Sequence, residues 1–209
     1  MNFVQQSLNF LAAHKKLAQT AHFIRPDAAK EIIAHADELI HQTFTFNKTW
    51  DMERCLTPYT LPVIDWNTHQ NDDPEWCFML SRMDYLDHLL LASLLTGDIA
   101  YADKAKEYIL NWIAAHPSIV SEPSTRTLDT GIRVMNWMEA LPYLSMLHAL
   151  TEDELTRITD SMFAQMQYLK ENYLPKYKTS NWGSIQTCAI VSVLPFLRAD
   201  FLSDPLYQW

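Results

Sequence analysis

Glycine scarcity is the feature that most constrains this chain, because only 3 glycines occur among its 209 residues. Sandwiches and barrels need many tight turns, and such turns rely on glycine to reach positive φ angles. The glycine-rich phosphate-binding motifs of Rossmann and P-loop folds are absent from the sequence as well. Helices need little glycine, and 48% hydrophobic residues suffice for a sizeable core. The sequence therefore predicts an all-α fold.

The charge balance argues against several classes of partner. The net charge is -9, with 25 acidic and 16 basic residues, whereas nucleic-acid binding depends on a basic surface. No apolar stretch approaches the roughly 20 residues that cross a bilayer. We therefore predict neither a nucleic-acid partner nor a membrane span. The visible N-terminus has no signal-peptide pattern, so the sequence predicts a cytoplasmic location, or a periplasmic one if a leader was removed.

The sequence contains no pattern that is typical of a metal or cofactor site. His-Glu-x-x-His and Cys-x-x-Cys motifs are absent, and the eight histidines are scattered. The three cysteines are odd in number and far apart, which indicates small buried hydrophobic residues and not a disulfide framework. We therefore expect no metal and no cofactor.

Hydrophobic periodicity predicts six or seven helices joined as antiparallel hairpins. From Pro74 onward apolar residues cover nearly the whole helix surface, which indicates a helix buried on two sides, as in a toroid or solenoid. Gly97 is predicted to end this helix, and Asp98 to cap the next. Residues 43–73 are predicted to form a long irregular loop. Further helices are predicted over about 3–20, 26–42 and 127–150 with a kink at Pro142, after a capping box of Thr151 and Glu154, and from Asn181 onward.

Three segments combine indoles, carboxylates and amides. Each has an ordinary structural explanation, because tryptophans fill cores and Asp73 and Asn181 are good N-cap residues. Their order and spacing carry more information than any one of them. The segments are Asp65-Trp66-Asn67 with Asp73-Pro74-Glu75-Trp76, residues 128–137, and Ser180-Asn181-Trp182-Gly183.

With these segments in this order, the chain resembles the N-terminal domain of the heparinase II/III-like polysaccharide lyases. The resemblance runs from about Ala36 to the C-terminus. It implies an incomplete (α/α) toroid, with residues 1–209 forming a single helical domain that a β-sandwich domain, absent here, would normally follow. It also implies cleavage of a uronic-acid-containing polysaccharide, of heparan sulfate or other glycosaminoglycan type or of alginate type, by β-elimination. The implied partners are this acidic polysaccharide and the missing β-sandwich.

The resemblance assigns the site residues. Asn181 matches the family's amide that stabilises the charge on the uronate carboxyl group during proton removal. Arg133 is implied as a contact to a carboxylate or sulfate. The family's proton-transferring tyrosine usually lies beyond residue 209, so we expect the fragment alone to be inactive. The other implied substrate-binding residues are Trp66 and Trp182 as stacking faces, and Lys178 and Arg126 as cations.

Two other functions remain open. A toroidal glycoside hydrolase would need two carboxylates facing one cavity, and Asp84, Asp87, Asp129 and Glu139 are the candidates. A non-catalytic carbohydrate-binding or scaffolding module would need neither these carboxylates nor the amide. The side chains that line the concave surface distinguish the lyase from the hydrolase.

Overall fold

A computed structural model describes residues 2–46, 55–70 and 72–209 of the chain. Helices dominate these residues, so the predicted all-α class is confirmed. Short 3-10 turns and one small sheet join them. The elements are α1 Phe3–His14, α2 Pro26–Ile40, β1 Thr43–Phe46, β2 Cys55–Thr60, α3 Pro74–Arg82, α4 Leu86–Thr96, α5 Ile99–Ala115, α6 Thr127–Met146, α7 Glu152–Glu171 and α8 Asn181–Leu197, with 3-10 turns at Leu17–Phe23, Pro123–Thr125, Pro175–Thr179 and Phe201–Ser203.

The predicted irregular loop over 43–73 is wrong where β1 and β2 form an antiparallel pair. Thr43 pairs with Thr60, and Phe44 pairs with Tyr59. The Thr-Phe-Thr-Phe sequence alternates with the period of a strand, so it directs Phe44 and Phe46 to the core, where they are 0% and 8% exposed. Part of the predicted loop, residues 47–54 and 71, lies outside the described residues.

The single helix that was predicted from Pro74 to Gly97 is wrong at Met83. This residue has φ 58, in the left-handed region, and separates α3 from α4. Its side chain is fully buried, and its Sδ atom accepts a hydrogen bond from Trp137 Nε1 at 3.1 Å. Both helices direct apolar residues into the same core, so the hydrophobic pattern continues across the break and conceals it.

The predicted helix ends are confirmed at two connections. Gly97 has φ 76 at the end of α4, and Asp98 accepts a hydrogen bond from Ala100 N at 2.9 Å at the start of α5. Thr151 and Glu154 form the reciprocal capping box at the start of α7. The helix that contains Pro142 ends at Met146, a few residues before the predicted end at 150.

Helix α6 lies in the centre of the domain and packs against α1, α3, α4, α5, α7 and α8. It lies against α8 at Gly131, where an added Cβ would lie 3.5 Å from the backbone of Gln186. The first turns of α6 and α8 therefore lie close together at one end of the domain. None of the described helices is both long and apolar enough to span a membrane.

Candidate active site at the start of α8

The start of α8 carries the amide that the sequence singled out. Ser180 has extended backbone angles and occupies the N-cap position, so Asn181 is the first helical residue and the alternative prediction of Asn181 as the N-cap is wrong. The Ser180 hydroxyl donates to the carbonyl oxygen of Tyr177 at 3.2 Å. Ser180 makes no side-chain cap hydrogen bond in the part of the chain that the structure describes. Asn181 is exposed at this helix end.

A very close backbone contact fixes the turn Pro175–Thr179 against α8. A Cβ atom added at Gly183 would lie 2.2 Å from the carbonyl oxygen of Tyr177 and 2.4 Å from the hydroxyl oxygen of Tyr173. A real Cβ atom does not lie so close to another heavy atom, so only glycine fits at this position. The third residue of α8 therefore sets the position of the whole turn.

The contact creates a shallow pocket of about 310 Å³, lined by Lys176, Tyr177, Ser180 and Trp182. The Tyr177 and Trp182 rings stack with centroids 5.5 Å apart. Lys176 Nζ lies 5.7 Å from the centre of the Tyr177 ring. Lys178 is exposed in the same turn. The pocket therefore combines aromatic surface with the Lys176 cation, beside the exposed Asn181.

Arg126 lies next to this pocket but is engaged inside the protein. Its Cζ atom is 3.3 Å from the centre of the Phe78 ring and 5.3 Å from that of Trp182. Its Nε and Nη2 atoms donate to the carboxylate of Asp129, and Nη1 donates to Glu75 Oε1 at 3.1 Å. The structure thus brings Arg126 and Trp182 together. The guanidinium group is committed to two carboxylates.

The carboxylate of Asp129 is fully buried and shared between two arginines. Arg82 Nε donates to Asp129 Oδ1 at 2.7 Å, so α3 and α6 are joined through this group. Burial alone would lower the pKa of the Arg126 guanidinium, but the hydrogen bond and charge of Asp129, with those of Glu75, raise it above its usual value. Arg82 was not among the predicted site residues.

Arg133 lies in the core and not in the pocket. It is 0% exposed, and its Nε atom donates to Gln165 Oε1 at 2.9 Å. Nη1 donates to the carbonyl oxygens of Ser81 and Ser124 at 3.0 and 2.9 Å, and Nη2 donates to Thr130 Oγ1 at 3.1 Å. Burial lowers the pKa of this guanidinium to about 9. This burial is at odds with the predicted contact to a substrate anion.

Trp66 also lies in the core, at 2% exposed, and its Nε1 atom donates to Asn111 Oδ1 at 2.9 Å. This burial is at odds with the predicted stacking face. The neighbouring Asn67 binds the chain before α6. Its amide donates to Glu122 and accepts from the backbone of Ser124. The Asp65-Trp66-Asn67 segment therefore holds the turn that precedes α6.

Carboxylates line a different pocket, between α4 and α6. Asp84, Asp87 and Glu139 contribute to a cavity of about 360 Å³, together with Asn136, which donates to Asp84 Oδ1 at 2.6 Å. Among the described residues, no three histidine, cysteine, aspartate or glutamate side chains are grouped as a metal site. The carboxylate pocket and the pocket beside Asn181 have no lining residue in common.

Two of the functional features were missed from the sequence. The close contact at Gly183 could have been suspected from the rarity of glycine, since this residue is one of only 3. The stacking partner of Trp182 is Tyr177, which was not among the predicted site residues. Aromatic residues in a polar loop next to lysines would have been the signal.

Comparison with known proteins identifies the fold and the family. A heparan sulfate lyase, HepC from Pedobacter heparinus, superposes with a TM-score of 0.65 at 18% identity, over 89% of this chain and 32% of that protein. A heparinase III gene product with methylated lysines superposes with a TM-score of 0.65 at 16% identity, over 91% of this chain and 34% of its own. The chain thus spans about a third of the length of these structures. No curated protein sequence matches it significantly.

At such identities the superpositions show the fold alone. The family described as Heparinase II/III N-terminus matches residues 4–196, which is nearly the whole chain. The chain therefore belongs to the heparinase II/III N-terminus family.

Proposed function

We propose that this chain is the N-terminal helical domain of a polysaccharide lyase that cleaves a uronic-acid-containing polysaccharide by β-elimination. The substrate is of heparan sulfate or other glycosaminoglycan type, or of alginate type. The observation that carries the proposal is the exposed amide of Asn181 at the start of α8, beside a pocket with aromatic and cationic walls. Family membership and the heparan sulfate lyase activity named for a structural relative support it.

The chemistry explains why an amide is useful there. In β-elimination a base removes the proton at C5 of the uronate, a C4–C5 double bond forms, and the C4–O bond breaks as its oxygen receives a proton. Charge accumulates on the uronate carboxyl group as C5 loses its proton. The Asn181 amide donates to that group, and the positive end of the α8 dipole also favours an anion. Both interactions strengthen as the charge develops, which is what lowers the barrier.

Local charge supports an acidic substrate in spite of the net charge of -9. Residues 172–187, which form the turn and the first half of α8, contain Lys176 and Lys178 but no aspartate or glutamate. Screening at physiological salt limits the effect of distant exposed carboxylates to about 8 Å. We assign Lys178 to the carboxylate or sulfate groups of the polysaccharide and Trp182 to a sugar ring. Arg133 and Trp66 are not included among the contacts, because both side chains are buried.

We assign the proton-transferring groups to parts of the protein beyond this chain, including the β-sandwich domain that the resemblance implies. The chain spans about a third of its solved relatives, which leaves room for such groups. Tyr173 and Tyr177 pack against Gly183 and Trp182 respectively, and this packing supports a structural role for both. We therefore expect the isolated chain to bind the polysaccharide without cleaving it.

Binding tests the proposal directly. Titration calorimetry would compare heparan sulfate, alginate and neutral dextran, and we expect binding of an acidic polymer but not of dextran. Asn181→Ala should weaken binding about tenfold, as for loss of a hydrogen bond to a charged group. Ser184→Ala is the matched control, because Ser184 is also exposed on the first turns of α8. Equal binding by both variants, or no binding of any uronate polymer by the unmodified chain, would refute the proposal.

Activity is tested in the full-length protein. There Asn181→Ala should abolish the ultraviolet absorbance of the unsaturated uronate product while the fold is retained. A hydrolase would instead release reducing ends without a new double bond. The Asp84, Asp87 and Glu139 pocket is the observation that favours this second candidate. Loss of activity in Glu139→Gln but not in Asn181→Ala would support hydrolysis.

A further inference from the structure

Four side chains lie one against the next across the end of the domain. Phe78 of α3 lies 3.3 Å from Arg126 Cζ, Arg126 lies 5.3 Å from the Trp182 ring centre, and Trp182 stacks on Tyr177 at 5.5 Å. We call Phe78, Arg126, Trp182 and Tyr177 the stacked column. The column extends from a core helix to the wall of the pocket, so its inner members determine where the outer members lie.

Asp129 fixes the plane of the guanidinium in this column. The buried carboxylate accepts from both Nε and Nη2 of Arg126, which is the fork geometry that arginine alone provides. Glu75 accepts from Nη1 at 3.1 Å. Turning Arg126 toward a ligand would break the bonds to Asp129 and leave a buried charge with fewer partners, which is strongly unfavourable. These hydrogen bonds therefore fix the orientation of the guanidinium group.

We propose that Arg126 is a positioning residue, and that its Asp129-locked guanidinium supports Trp182 and thereby sets the aromatic wall of the polysaccharide site. This inference rests on the proposed function. It changes the role predicted for Arg126 from a residue that contacts the substrate to a residue that positions Trp182. The planar shape is what matters. Lysine would retain the charge but could not provide the flat stacking surface or the fork to Asp129.

The test compares Arg126→Lys with Arg198→Lys. Arg198 also lies over an aromatic ring, 4.3 Å from Phe163, but at the other end of α8, so the control makes the same chemical change away from the pocket. One readout is the near-ultraviolet circular dichroism of Trp182, obtained as the difference from Trp182→Phe. The other is the dissociation constant for heparan sulfate or alginate oligosaccharides, with its salt dependence.

We expect Arg126→Lys to change the Trp182 signal and to weaken binding about tenfold, while the salt dependence stays unchanged. Arg198→Lys should change neither readout. An unchanged Trp182 signal in Arg126→Lys would overturn the proposal. Weaker binding with a reduced salt dependence would also overturn it, because it would show that Arg126 contacts the anion directly.

A second variant covers the case in which Arg126→Lys does not fold. Phe78→Leu removes the ring that lies against the guanidinium without changing any charge, and it should also alter the Trp182 signal. An unaltered signal in Phe78→Leu would overturn the proposal. If the unmodified chain binds no uronate polymer, the proposed function fails, whereas the Trp182 signal still tests the column.

Discussion

Tyr177 and Trp182 stack with their ring planes inclined by 27° and their centroids 5.5 Å apart, although one belongs to a 3-10 turn and the other to α8. The two rings can stack because Gly183 allows the backbone of the turn to lie directly on the helix. The aromatic wall of the pocket therefore depends on a residue that has no side chain.

Gly183→Ala should displace the turn Pro175–Thr179. The new methyl group would lie 2.2 Å from the Tyr177 carbonyl oxygen, so the turn must move. We expect a loss of about 1–3 kcal/mol in the free energy of unfolding, as for other overpacked sites, together with weaker polysaccharide binding. Urea denaturation measures the first effect and calorimetry the second.

Gly131→Ala is the matched control for this change. A Cβ at Gly131 would make ordinary contacts at 3.5 Å, and alanine favours a helix interior by up to about 1 kcal/mol. The control should therefore be neutral or stabilising. Similar destabilisation by both substitutions would contradict the close-contact argument.

Arg133→Met should destabilise the protein without affecting the pocket directly. The change leaves the carbonyl oxygens of Ser81 and Ser124 without their donor and removes a hydrogen-bonded group from the core. Each buried acceptor that loses its donor should cost about 1–3 kcal/mol in the free energy of unfolding. Binding per folded molecule should remain, which calorimetry in stabilising conditions would check.

Lys178→Ala should behave in the opposite way. Lys178 is exposed, so its loss should change the free energy of unfolding by no more than about 0.5 kcal/mol. Polysaccharide binding should weaken, and its salt dependence should fall, because one cation fewer contacts the polymer. Unchanged affinity would remove Lys178 from the proposed contacts.

His116 should make the stability of the protein depend on pH. Burial lowers the pKa of this histidine in the folded state, where its ring nitrogens contact Trp112 O and Ser124 Oγ, each at 2.8 Å. The unfolded chain, with a histidine pKa of about 6.5, takes up the proton first as the pH falls. The free energy of unfolding should therefore decrease as the pH falls below about 6.5.

Chemical denaturation between pH 7.5 and pH 5 would measure this dependence. His116→Asn should be less stable at pH 7.5 but should lose less stability on acidification than the unmodified protein. The same pH slope in both proteins would show that another group is responsible.

Thr151→Ala should lower the free energy of unfolding by about 1 kcal/mol, because the capping box at the start of α7 is lost. Thr156→Ala is the control, since Thr156 is exposed within the same helix and its hydroxyl donates only to the Glu152 carbonyl oxygen. Alanine is the better helix former at that position, so the control should be neutral or slightly stabilising. Thermal unfolding of both variants would measure these two changes in stability.

The helical fold could be predicted because its signals are local. Gly97, Asp98, Thr151 and Glu154 act within a few residues of their own positions, so their roles follow from the sequence. The break at Met83 could not be predicted, because a left-handed residue between two helices with a common core leaves the hydrophobic pattern intact. The strand Thr43–Phe46 was missed although it does alternate, since four residues are a weak signal.

The candidate site was only partly predictable, because helix spacing does not determine which side of a doubly packed helix faces a cavity. Arg126 directly precedes α6 and Arg133 lies seven residues later within it, yet Arg133 is fully buried and Arg126 reaches the pocket wall. Asn181 was placed at a helix start correctly, because the change from a polar turn to an apolar helix is local. The Arg126–Asp129–Arg82 cluster joins residues far apart in sequence, which no motif reveals.

The carboxylate of Asp129 anchors two helices, and this limits which positions of the surface can vary. Asp129 lies beneath the wall of the pocket, and altering it would loosen α3 and α6 at once. We therefore expect the fold to tolerate substitutions at outward-facing positions, such as Lys176, Lys178 and the residues near Asn181, but not at Asp129.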